Sequence, residues 1–136
     1  MKKTDIAWAA GFFDGEGCIT VFRANGGRNH ALRVGFAQKN KIPVERFEDL
    51  FGGEAIYHMK KDGSGHWYWN LYGRNALRFL QTISPYLVMK ADQASTAIAF
   101  QLRRQTSTTK NPLTSEERAL DLQDYIDLKR MKQAVE

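Results

Sequence analysis

The stretch "AWAAGFFDGEGCITVF", residues 7–22, joins a helix-like segment to a strand-like one through two acids set among glycines. Ala7, Ala10 and Gly11 are small and Phe12 and Phe13 large and apolar, as in a tightly packed helix. Thr4 is placed to cap that helix, which is expected to run through Phe13, with Gly15 and Gly17 stopping it. From Cys18 to Ala24 the period becomes that of a strand, with Ile19 and Val21 on one face and Thr20 and Phe22 on the other. Asp14 and Glu16 thus fall at an abrupt helix-to-strand junction. A carboxylate there either ties the turn through backbone N–H groups or is kept for a ligand.

Outward from this junction the chain reads as alternating hairpins and helices. "NGGR" (Asn25–Arg28) is a hairpin turn, and His30 to Gln38 is the returning strand, with Leu32, Val34 and Phe36 opposing Arg33 and Gly35. Pro43 suits the start of a helix that reaches about Phe51, where Gly52 and Gly53 end it. Ala55 to Lys60 and His66 to Tyr72 form a second hairpin around "KDGSG". There Trp67, Trp69 and Leu71 share one face, leaving Tyr68, Asn70 and Tyr72 on the other. Helical spacing returns over 75–83, Pro85 separates a further helix at about 90–104, and "TSTTKNP" is a loop. Thr114 or Ser115 then caps a last helix whose apolar positions are Leu120, Leu122, Ile126 and Met131. The order predicts an α/β (α+β) fold: one antiparallel four-stranded sheet with helices on one face. All 136 residues form a single domain, with a core of about 4–104 and a helical extension over about 113–134.

Composition narrows the partners. Hydrophobic residues are 43% of the chain, enough for a core, and no apolar run approaches the ~20 residues of a membrane span. The basic start and short apolar run of "MKKTDIAWAAGFF" are not a secretory signal, because Asp5 and Asp14 bracket the run and no cleavage pattern follows. The lone Cys18 forms no internal disulfide. An intracellular location is expected. The formal net charge of +5 and a pI near 9.4 suit a nucleic-acid partner as well as simple solubility. Cys18, His30, His58 and His66 lack metal-ligand spacing, no phosphate-binding loop is present, and no small-molecule cofactor is expected.

The segment "AWAAGFFDGEG" resembles the signature of the LAGLIDADG homing endonucleases: an apolar helix with a small pair, Ala10-Gly11, and an acid-Gly-acid-Gly end, Asp14 to Gly17. "FAQKN" after the first hairpin and "ISPYLVMKADQ" near the end of the core follow in the family's order, so the resemblance covers about residues 4–104. With one copy of the motif, it implies a homodimer whose motif helices meet through Ala7, Ala10 and Gly11. Small residues on a helix also pack within one chain's own core, so the spacing alone leaves both readings open. The resemblance further implies a saddle-shaped sheet in the DNA major groove. Cleavage of both strands of a long pseudo-palindromic site would leave short 3′ overhangs and promote intron or gene mobility. Glu16 would hold Mg²⁺, with Mn²⁺ able to substitute, aided by the Gly15 carbonyl. Gln38 would order the water network and Lys90 would stabilise charge near the scissile phosphate. Asp14 is better suited to the turn than to metal. The alternative is a non-cleaving binder of the same fold, an intron maturase or a transcription regulator.

Double-stranded DNA would be read from the outward strand positions. Thr20, Asn29 and Arg33 come from the first hairpin, and Tyr68, Asn70 and Tyr72 from the second. Arg23, Arg28, Lys60, Lys61 and His66 would hold phosphates at the hairpin tips.

Overall fold

The structure, a computed structural model, describes residues 1–24, 26–27, 29–105 and 112–135. Helix α1 (Lys3–Glu16) leads into strands β1 (Cys18–Ala24) and β2 (Asn29–Gln38). Then come α2 (Lys41–Phe51), β3 (Glu54–Met59), β4 (Gly65–Tyr72) and α3 (Gly73–Ile83). A 3-10 turn (Ser84–Tyr86), α4 (Ala91–Gln105) and α5 (Ser115–Val135) complete the order. The four strands form one sheet in the order β1-β2-β4-β3, every pair antiparallel.

Period-two alternation decides which side of the sheet is covered. Ile19 and Val21, Leu32, Val34 and Phe36, and Trp69 and Leu71 all point to the helices and are buried. Trp69 stands at the centre, its ring 4.9 Å from Phe47 and 5.1 Å from Phe79, centroid to centroid. Its indole N–H is satisfied by the Gly52 carbonyl at 2.8 Å. That contact depends on the turn after α2, where Gly52 and Gly53 take φ values of 79° and 85° that favour glycine. Asn40 caps α2 by accepting from Ile42 N–H at 3.0 Å. Gly35 serves a different need: a Cβ there would strike the Asn70 side chain and the Trp69 carbonyl on the neighbouring strand.

Two expectations need correction. Helix α1 starts with Lys2 at its cap, so Thr4 lies in the first turn, and it runs past Gly15 to Glu16. Gly17 alone ends it, and no side chain fits there because a Cβ would enter the Phe13 ring. Of the apolar positions named for α5, Leu120 and Leu122 are exposed, while Leu128 is buried and Tyr125 and Met131 pack against the core. The helix turns this face inward because Asp121, only 2% exposed, accepts from Arg103 of α4 at 2.8 Å. Thr114 does cap α5, exchanging hydrogen bonds with Glu117 in a capping box. Among the described residues, no helix is long and apolar enough to cross a membrane.

Candidate functional site

The last turn of α1 gathers the candidate catalytic residues. Phe13 is fully buried against Phe79, which fixes the helix's rotation and carries Asp14, Gly15 and Glu16 to the end of the sheet. Asp14 is consumed by the fold. Its carboxylate accepts from the backbone N–H groups of Val88 at 3.1 Å, Met89 at 2.9 Å and Lys90 at 2.8 Å, just ahead of α4. Burial works to raise its pKa, but these donors and the Lys90 charge outweigh it, and the carboxyl is held below its usual range. The Lys90 ammonium returns to donate to the Asp14 carbonyl at 2.7 Å, which brings Lys90 to the end of α1.

Glu16, exposed, points the other way. Gln38 reaches it from the end of β2, Nε2 donating to Glu16 Oε2 at 3.1 Å. Gln38 shares the parity of Phe36, so it lies on the helical side of the sheet where α1 finishes. The structure thus brings Glu16 and Gln38 into contact, and one turn of helix joins them to Lys90 through Asp14.

The opposite face of the sheet is open. Arg33, Tyr68 and Asn70 line a shallow depression there with Cys18, and Tyr72 meets Phe22 edge-on at 6.3 Å. The second hairpin has the expected parity, since Trp69 pairs with Phe36 and Leu71 with Val34 on the core side. His66 shares the parity of Tyr68 and pairs with His58. Lys60 and Lys61 are exposed at the tip of this hairpin, whose turn is closed by Lys60 N–H on the Ser64 carbonyl at 2.6 Å. Asn29, paired with Ala24, shares the parity of Arg33.

Two assignments change. Arg23 has the parity of Ile19 and Val21, so it belongs to the helical side, with its guanidinium 5.3 Å from the centre of the Tyr125 ring. Ala10 is fully buried and packs inside its own chain, so it cannot lie at an interface, whereas Ala7 and Gly11 are exposed and share a face with Trp8. Arg28 lies outside the described residues. Thr20 is on the open face as expected, but its hydroxyl already receives Lys132 Nζ of α5 at 3.0 Å. That lysine was missed. The signal was present: Lys132 lies a helical repeat beyond Tyr125 and Leu128, on the inward stripe of α5.

No family model matches the chain, and no curated protein matches it. Solved structures do. The archaeal intron-encoded homing endonuclease I-Vdi141I, complexed with DNA, superposes with a TM-score of 0.77 at 14% identity over 96% of this chain and 86% of that one. The homing endonuclease I-CvuI, bound to its target in the presence of Ca, gives 0.71 at 17% identity over 94% of this chain and 82% of that one. The LAGLIDADG homing endonuclease I-GzeII, also with a DNA target, gives 0.67 at 19% identity over 96% of this chain but 44% of its own length. The chain has the LAGLIDADG homing endonuclease fold.

Within the LAGLIDADG fold, the donor atoms at the end of α1 decide what the site can hold. The Glu16 carboxylate is exposed, and the Gly15 carbonyl is among the last four that a helix leaves without an intrahelical donor. Both are hard oxygen ligands, and the negative end of the helix dipole favours a cation there, so the set fits Mg²⁺ or Ca²⁺. One chain offers only part of a coordination shell: among the described residues, no three His, Cys, Asp or Glu side chains converge.

Proposed function

We propose that the chain is a metal-dependent DNA endonuclease acting as a homodimer, with each copy contributing half of the cleavage site. The observation that carries this reading is the division of labour in the last turn of α1. Asp14 is spent on backbone donors, while Glu16 stays exposed with Gln38 as its side-chain partner among the described residues. An acid serving structure alone would gain most from buried donors, as Asp14 does. Glu16 is instead held ready for a ligand.

The dimer follows from what α1 leaves uncovered. Ala7, Trp8 and Gly11 form an exposed stripe, and beyond the helix's own backbone none of the described residues lies within 4 Å of the place a Gly11 Cβ would occupy. A second α1 can approach closely there, related by a two-fold axis that brings both Glu16 residues to the same end. The match to 82–97% of some neighbours and 43–45% of others supports a unit that works in pairs. The open sheet face, with Thr20, Asn29, Arg33, His66, Tyr68, Asn70 and Tyr72, then faces a major groove, and Lys60 and Lys61 flank it.

Glu16 and the Gly15 carbonyl would hold Mg²⁺, or Mn²⁺ in its place. When bound, the metal supplies an acidified water and neutralises charge on the scissile phosphate. Gln38 orients the Glu16 carboxylate and can bond an attacking water. Lys90, anchored at the Asp14 carbonyl, places a cation near the phosphate. The product would be a double-strand break with short 3′ overhangs, serving to spread the intron or gene that encodes the enzyme.

Selection of cut duplexes from a DNA library with Mg²⁺, with Glu16→Gln in parallel, tests this. The parent is expected to give specific double-strand cuts at a two-fold symmetric site. The variant should lose at least about a hundredfold in rate, as removal of one transition-state charge partner does, while binding persists. Salt-sensitive binding without cleavage by the parent under any divalent ion would make the protein a non-cleaving binder instead.

A further inference from the structure

The outward face of β1 is not bare. Lys132 reaches around the β1 edge from α5 and donates to Thr20 Oγ1 at 3.0 Å and to Cys18 Sγ at 3.4 Å. Both acceptors have the parity opposite to Ile19 and Val21, so the ammonium lies on the open side of the sheet. Its helix, by contrast, is rooted in the other layer through buried Leu128 and the Arg103–Asp121 bridge.

We propose that Lys132 is a phosphate-binding residue of the DNA face, standing in the place that alternation alone assigns to Thr20. This rests on the DNA-binding reading above. An ammonium has three donors, and Thr20 and Cys18 take two, leaving one for an anion. Thr20 is a neutral acceptor. Burial works to raise the Cys18 thiol's pKa, but the Thr20 hydrogen bond and the Lys132 and Arg33 charges outweigh it and hold the thiol below its usual range. Among the described residues no carboxylate forms an ion pair with Lys132. Its charge is therefore available to an outside group. Location matters as much. Cys18 is two residues from Glu16, and Arg33 is the cross-strand partner of Thr20, so cations from α5 and β2 converge beside the cleavage end of the sheet. A compact point charge without a guanidinium's flat fork suits a phosphate oxygen better than a base edge. Helix α5 would thereby act as a clamp on the duplex backbone as well as a cover for β1.

The alternative is a purely structural tie between α5 and β1, and the salt dependence of binding separates the two. Affinity of the full chain for a mixed-sequence DNA duplex is measured over a range of salt concentrations. Lys132→Gln keeps a donor for Thr20 and removes the charge, and Lys132→Met removes both. Each should reduce the slope of log affinity against log salt by about 0.9 per chain. Lys132→Arg should restore it, and Arg74→Met on α3 should leave the slope unchanged, with thermal melts showing which variants fold. An unchanged slope in either folded neutral variant overturns the proposal. Binding by the parent that ignores salt, or no binding, overturns the DNA reading and this inference with it.

Discussion

Asp14 and Glu16 are two positions apart on one turn of α1, and their surroundings give them opposite work. Three N–H donors from a segment 74–76 residues further along hold the Asp14 carboxylate, which pins the entry to α4. Hydrogen bonds to a charged acceptor are worth more than neutral ones, so Asp14→Ala should lower unfolding stability at neutral pH by about 2 kcal/mol. The pH dependence follows from a folded-state pKa below its unfolded value. The contribution is fully present above the unfolded pKa and is lost as pH falls through the folded one. Denaturant titrations of parent and variant should therefore differ most near neutrality and converge in strong acid. That Asp14 binds backbone was legible from its type and its place at a helix end. Its partners were not, because no local spacing encodes a contact made across most of the chain. A place for Gln38 at the site came only through the resemblance, since a strand-end glutamine by itself reads as a surface residue, and its hydrogen bond to Glu16 was not anticipated.

Among the elements, the strands were the most legible. Alternation has only two outcomes, and one buried residue such as Val34 or Trp69 fixes the parity of its strand. Helix faces were harder. The inward side of α5 includes Asp121, a buried carboxylate that no hydrophobic pattern reveals, and its pairing with Arg103 turns Leu120 and Leu122 outward. Arg23 shows the limit of reading a hairpin tip as solvent, because its parity sends it beneath the sheet towards Tyr125. The spacing between β2 and β4 depends on Gly35 in a way alternation does not show. Gly35→Ala would force a methyl group against the Trp69 carbonyl, which is backbone and cannot turn aside. A loss of about 3 kcal/mol is expected, at the upper end for overpacking, and would appear as a lower thermal midpoint. On the proposed reading of the open face, the same change should also weaken DNA binding in a duplex titration by displacing Asn70.

For the molecule as a whole, the uncovered side of α1 is where the largest change in behaviour is expected from one substitution. Gly11 has open space over it, so Gly11→Glu fits the single chain without strain and places a charge where a second helix would lie. Sedimentation of the parent should give a dimer and of the variant a folded monomer, with cleavage lost in step. A parent that sediments as a monomer at every concentration, with or without DNA, would remove the two-fold arrangement.

The commitment of Asp14 to the fold has a consequence for dosage. Each chain brings one available carboxylate to a reaction proposed to need a pair, so catalytic capacity is not a property of a single copy. Below the dissociation constant of the pair, the number of complete sites falls with the square of chain abundance. Dilution alone would then silence the proposed activity, without any inhibitor.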